Sequence, residues 1–233
     1  MRAIFSSFKL LLFGIWSLIS IIVGALLFAL FVKNGMEWVA KHFWSPVALK
    51  LMQAKIKVSY VEPIVKTDRY LIMANHNSFI DIPILFKTMP FYTYFIAKKE
   101  LKKIPLLGWY IKAYGMIYID RSDSKKAQES IAVAASLIEA GKHVIIFPEG
   151  TKSKDGKIGP FKKGGFHLAQ QANVDILPIK IEGAQFVWPN KKPFQLKRGT
   201  ISVKIGAKIT QESLAGMEIL ERAEFVRNKI NEL

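Results

Sequence analysis

The run NHNSFID, residues 75–81, places an imidazole and a carboxylate five positions apart, directly after the apolar stretch YLIMA. A carboxylate folded back onto one ring nitrogen fixes the tautomer and leaves the other nitrogen to accept a proton, so His76 and Asp81 are candidates for general-base chemistry. The same pair would also serve as a helix-capping aspartate and a backbone-bonded histidine, and spacing alone does not choose between these readings. Two further runs carry chemistry-bearing residues off the ends of apolar stretches. In GMIYIDRSD, residues 115–123, Arg121 offers a planar fork suited to phosphate, with Asp120 beside it to hold it. In FPEGTKS, residues 147–153, Gly150 permits close backbone approach, Thr151 offers a hydroxyl and Lys152 a cation. Glu149 in that run is an acceptor for polar hydrogens or for an arginine. Lys98, in AKKEL, can neutralise a phosphate or a developing oxyanion. The cluster Lys98, Lys99, Lys102 and Lys103 also suits anionic headgroups or the phosphates of a donor.

Composition limits the chemistry. Cysteine is absent, which removes disulfides, thiolate metal sites and a cysteine nucleophile. His42, His76, His143 and His167 are scattered without ligand spacing, so no metal is expected, and His143 and His167 read as satisfied structural residues. There is no GxSxG elbow; Ser78, two residues from His76, offers an acyl-serine route, but that spacing gives no assurance of triad geometry. A formal charge of +16 on a chain that is 51% hydrophobic points to a partner both apolar and anionic: a membrane surface, a phosphorylated substrate or nucleic acid.

These residues need a scaffold. The runs IKVSYV, YLIMAN, YFIAK, MIYID, HVIIFP, ILPIKIEG and ISVKIG read as strands. Between them, residues 83–87, 100–113, 124–140 and 163–172 read as helices or turns. Ser122, Asp123 and Ser124 offer N-caps for the third of these, Ile131, Ala134, Ala135 and Ile138 line one face, and Gly141 supplies its stop. The alternation predicts a single α/β domain over residues 56–233, a mixed sheet flanked by helices. Pro178 reads as an edge-tolerated proline in a buried strand, and residues 212–233 as a last charged helix on the rim.

Ahead of that domain, residues 1–55 read as a membrane-associating helical segment. Leu10 to Val32 is 23 residues without a charge, long enough to cross ~30 Å of hydrocarbon. A secretory signal is the alternative, but its apolar region is shorter and ends at a small-residue cleavage site not found near residues 31–35. Residues 36–55, with Trp38, Phe43, Trp44 and interspersed lysines, read either as an interfacial amphipathic helix or as a surface helix packed on the domain. Lysines 33, 41, 50, 55 and 57 follow the apolar run, which predicts a cytoplasmic domain, on the inner membrane if the source is bacterial.

Taken in order, NHNSFID, GMIYIDR, FPEGTKS and ILPIKI resemble the four sequence blocks of the glycerophospholipid acyltransferases, and the similarity covers roughly residues 56–206. The resemblance implies a catalytic His76 and Asp81, with Arg121, Glu149, Gly150 and Thr151 binding the glycerol phosphate. It implies acyl transfer from acyl-CoA or acyl carrier protein to the sn-2 hydroxyl of 1-acyl-glycerol-3-phosphate, or another lysophospholipid, without a cofactor. Lys152 departs from the family's usual arginine, keeping the charge and losing the bidentate fork. A basic, membrane-tethered protein that binds lipid or nucleic acid without chemistry shares the charge and the anchor. The aromatic residues do not interleave with the lysines as stacking platforms, and no RNP-type motif occurs, so nucleic acid is not an expected partner.

Overall fold

The computed structural model describes residues 2–120 and 124–233. The N-terminal helices are α1 (Arg2–Ala29), α2 (Gly35–Trp38) and α3 (Ser45–Leu51). Seven strands follow: β1 (Ala54–Tyr60), β2 (Tyr70–Ala74), β3 (Thr93–Lys98), β4 (Ile117–Ile119), β5 (His143–Ile146), β6 (Asp175–Glu182) and β7 (Gly199–Ile205). Helices α4 (Asp81–Thr88), α5 (Leu107–Tyr114), α6 (Ser124–Glu139), α7 (Gly164–Gln171), α8 (Ala184–Val187) and α9 (Ile219–Glu232) lie between and after them. The strands form one sheet in the order β1-β7-β6-β2-β5-β3-β4.

Every residue of β2 and β5 is buried, which demands cover on both faces of the sheet. Two helix groups supply it, α1–α5 packing together and α6, α7 and α9 packing together. The mixed sheet expected from the sequence is present: β6 and β7 are antiparallel, and all other neighbours are parallel. The carboxyl ends of β6, β2, β5, β3 and β4 therefore share one edge, where open α/β sheets bind their ligands. Because β7 and β1 run the other way, the start of β1 meets that same edge, and α3 arrives there with it.

Helix α1 lies along the domain. Lys9 Nζ donates to Gln53 Oε1 at 2.8 Å, Trp44 Nε1 donates to Ser17 Oγ at 2.9 Å, and the rings of Phe13 and Trp188 meet edge to face at 5.5 Å. Farther on, a side chain at Gly24 would meet Tyr110 at 2.7 Å, so glycine is what lets α1 close on α5. The opposite face is apolar and bare, with Phe8, Leu11, Ile15, Leu18, Ile22 and Leu26 exposed at helical spacing. After α1 the chain turns back through Phe31 and Asn34 in the left-handed region.

Three expectations need correction. Residues 36–55 are not one helix: α2 and α3 flank a π-helical turn at Val39–Trp44, because Pro46 has no N–H for the carbonyl of His42. With Met36, Val39, Ala40, Ala48 and Leu49 buried, this stretch packs on the domain, while Trp38 stays exposed. Residues 100–113 are, as read, a turn and a helix: a 3-10 turn, Lys99–Lys103, and α5, with Leu106 at positive φ between them. The last helix begins at Ile219 and not near 212, behind a capping box between Glu218 and Glu221. Strand β6 is interior, not an edge; Pro178 turns its carbonyl to the Gly206 N–H at 2.9 Å, where the ladder with β7 ends, so its missing N–H costs one bond. The caps expected at Ser122 and Asp123 lie outside the described residues, whereas Gly141, with φ of 83°, ends α6 as anticipated.

His143, expected to be satisfied, is buried against Phe91, with ring centroids 3.5 Å apart, and its Nδ1 has no partner. His167 is exposed. Burial pushes the His143 imidazole down to about 4. The folded ring is neutral while the unfolded one takes a proton below its ordinary pKa near ~6.5, so stability is intact above that value and erodes on acidification down to about 4. The full loss is about 3 kcal/mol. We expect His143→Phe to flatten the acid limb of a denaturant-midpoint-against-pH curve; an unchanged acid limb would assign the loss to other groups.

Candidate active site

Strand β2 ends at Ala74 because the next residue makes sheet bonds with its side chain. Asn75 Nδ2 donates to the Ile181 carbonyl at 2.9 Å, and Asn75 Oδ1 accepts the Ile181 N–H at 2.7 Å. The main chain is thereby released from β6 without leaving β6 unpaired. His76 follows at the carboxyl edge of the sheet. Its N–H donates to Glu149 Oε1 at 2.8 Å, and its carbonyl accepts the Ser153 N–H at 2.7 Å. The imidazole lies flat on Phe147, with centroids 3.9 Å apart and planes 15° from parallel.

Asp81 opens α4 and is fully buried. Its Oδ2 accepts the N–H of Asn77 at 2.7 Å and of Ser78 at 2.8 Å, and stands 2.8 Å from His76 Nδ1. A carboxylate oxygen already receiving two backbone donors is an acceptor, so Nδ1 carries the proton and Nε2 presents a lone pair. That oxygen gathers the N–H groups of the preceding loop and the imidazole; it caps no N–H of α4, whose N-cap position is Ile80. The partly exposed ring can reach a substrate through Nε2 alone. Ser78 has no exposed surface, and its hydroxyl donates to the Trp188 carbonyl at 2.8 Å, so it is turned away from chemistry and the acyl-serine route has no geometry.

The remaining candidates fall in different positions along the same edge. Glu149 is buried, and its second oxygen accepts the Gly159 N–H at 3.0 Å. Burial pushes its carboxyl up against the opposing pull of the two N–H donors. With both oxygens committed to backbone, Glu149 holds the His76 loop in place. Gly150 has φ of 74° and faces the Lys162 side chain, which a Cβ would meet at 2.9 Å. Thr151 is exposed beside it. The Lys152 ammonium sits over the Phe79 ring, and no ion pair involves it among the described residues. Burial lowers its pKa to about 8, with Asp81 pulling the other way, so much of it is charged at neutral pH. Lys98 ends β3, level with Ile119 and two strands from His76's strand, about 10 Å away across the sheet. It is exposed and paired with Glu100 at 3.3 Å, outside direct reach of the imidazole. Arg121 lies outside the described residues, just past Asp120, whose carboxylate meets Lys99 at 2.7 Å.

Geometry of this kind can be compared with known proteins. A family model described as Acyltransferase matches residues 55–182. The chain is 32% identical over 214 residues to the 1-acyl-sn-glycerol-3-phosphate acyltransferase of Saccharomyces cerevisiae, covering 90% of this chain and 70% of that protein. The chain belongs to the acyltransferase family. This acyltransferase is also 30% identical to a chloroplastic 1-acyl-sn-glycerol-3-phosphate acyltransferase of Brassica napus, over 89% of its own length and 58% of the relative's. The crystal structure of the 1-acyl-sn-glycerophosphate (LPA) acyltransferase of Thermotoga maritima superposes with a TM-score of 0.81 at 26% identity, over 100% of this chain and 97% of that one.

The acyltransferase site also contains residues the sequence did not single out. Phe147 supplies the floor under His76, and its signal was only its place before Pro148 at a strand exit. Asn190 donates to the carbonyls of Asn77 at 2.7 Å and Ser153 at 2.9 Å, tying the His76 loop to the Glu149 loop. Trp188 packs between Phe79 and Phe13 of α1, with centroids 5.5 Å from each. Neither lies in a run whose pattern marks it.

Proposed function

We propose that this acyltransferase moves a fatty acyl group from acyl-CoA or acyl carrier protein to the sn-2 hydroxyl of 1-acyl-glycerol-3-phosphate, yielding phosphatidic acid. The observation that carries the reading is the 2.8 Å contact between His76 Nδ1 and the buried, triply engaged Asp81 oxygen, which leaves Nε2 as the base. The names of the relatives supply the acceptor. In the reaction, Nε2 takes the hydroxyl proton as the alcohol oxygen bonds to the thioester carbonyl carbon. The tetrahedral adduct then expels the thiolate, which recovers that proton from the imidazolium. Asp81 stabilises the transient positive ring. No covalent intermediate on the protein and no cofactor enters these steps.

Lys152, Thr151 and the backbone at Gly150 would receive the acceptor's phosphate, together with Arg121. The absence of a fork on Lys152 makes Arg121 the principal bidentate partner in this reading. Lys98 and its neighbours add a positive field that draws in phosphates of the acceptor or of the donor. Membrane association follows from the bare apolar face of α1. Its packing against the domain from Lys9 to Phe28, roughly 28 Å at ~1.5 Å per residue, supports a helix lying in one leaflet, and the lysines after it favour the cytoplasmic side.

The test is a product assay with purified protein, acyl-CoA and lysophosphatidic acid, with lysophosphatidylcholine and lysophosphatidylethanolamine as comparators. Phosphatidic acid is the expected product; preference for a comparator would reassign the headgroup. In the same assay Arg121→Ala is expected to raise the Michaelis constant for lysophosphatidic acid by about tenfold or more, the scale of a lost charge-assisted bond, and to leave that for acyl-CoA little changed. Equal effects on both would remove Arg121 from the headgroup site.

A further inference from the structure

The segment PNKKPFQLKR, residues 189–198, carries four cations and no acid. Its inner side is fixed. Asn190 bonds the two catalytic loops, the Lys197 N–H donates to the Val187 carbonyl at 3.0 Å, and the Leu196 N–H donates to Ser6 Oγ of α1 at 3.1 Å. Its outer side is Lys191, Lys192, Phe194, Lys197 and Arg198, all exposed, and a turn closed by the Gln195 N–H on the Lys192 carbonyl at 2.9 Å presents Phe194 at its tip. Phe194 is 58% exposed although Leu196, two residues on, packs inward. An aromatic ring held out on a short proline-bounded turn among cations has no ring or cation partner among the described residues to explain it.

The segment is bonded to α1 at the buried Ser6, near the end of the helix where Phe5 and Phe8 are exposed. We propose that residues 189–198 form a second bilayer contact beside α1, in which Phe194 enters the acyl boundary and Lys191, Lys192, Lys197 and Arg198 engage anionic headgroups. The inference rests on the reading that α1 lies in the bilayer. A cation held at an anionic lipid surface is worth about fivefold in partitioning, so four are ample to set a lipid preference. An acidic carrier protein would also be drawn by the charge, but the exposed phenyl ring and the segment's attachment to α1 favour lipid.

The chain's lack of cysteine makes labelling at one site unambiguous. Single variants Phe194→Cys, Leu11→Cys on α1 and Val133→Cys on α6 would each carry a nitroxide- or lipid-quenchable fluorophore, on full-length protein with vesicles of phosphatidylcholine with or without phosphatidylglycerol. We expect quenching by acyl-chain-labelled lipid at residues 11 and 194, none at 133, and stronger quenching at 194 with phosphatidylglycerol. Quenching at 11 with none at 194 overturns the second contact and leaves the α1 reading standing. No quenching at either overturns both. Replacing the four cations with glutamine should lower the preference for phosphatidylglycerol vesicles by about tenfold or more. An unchanged preference, with slower transfer from acyl carrier protein, would assign the surface to the carrier and overturn the proposal.

Discussion

Replacing His76 with alanine is expected to lower acyl transfer by ~10² to 10⁴-fold, the usual worth of a positioned general base. The loss falls on kcat, because Nε2 acts on a proton that moves in the transition state and not on the phosphate that anchors the acceptor. Membrane association and the thermal midpoint change little: the ring is partly exposed, and the bonds that hold its loop run through the backbone N–H and carbonyl of residue 76, which alanine retains. Some stability is lost with the stack on Phe147, about 1 kcal/mol. Steady-state rates and a melting curve on the same preparation check this. A folded variant that turns over normally ends the assignment of His76 as base.

Asp81→Asn is expected to cost a similar ~10² to 10⁴-fold in kcat while Asp81→Ala also weakens the fold. The asparagine oxygen can occupy the position that receives the N–H groups of Asn77 and Ser78. Its amide nitrogen must then fill the buried place of Asp81 Oδ1, which has no partner, and the negative charge opposite the imidazolium is gone. Alanine leaves both backbone donors unmet in a fully buried site, for about 2–3 kcal/mol. Denaturant midpoints for the two variants, read beside their rates, separate the positioning from the electrostatic contribution. Equal stabilities would mean that the loop does not depend on this carboxylate.

All seven strands were legible because each is a short β-rich run bounded by turn residues or by helical pattern, and both faces of the central strands are buried. Helix boundaries were less so where a single residue breaks the path: Leu106 at positive φ separates the 3-10 turn from α5, and only Pro105 hints at it. The His76–Asp81 pair was readable since both partners sit on one five-residue turn. Phe147 and Asn190 were not, because their roles depend on β5 lying beside β2 and on a loop more than 100 positions away folding over both. Glu149 shows the intermediate case. Its place at the site was visible in FPEGTKS, yet its two backbone partners, and so its holding role, required the fold.

The bare apolar side of α1 has a kinetic consequence. An acceptor that reaches Nε2 from the leaflet arrives by two-dimensional diffusion, and the diacyl product departs sideways without being dispersed in water. Turnover then follows the mole fraction of acceptor in the surface, and with the soluble donor kept saturating, diluting the vesicles leaves it unchanged.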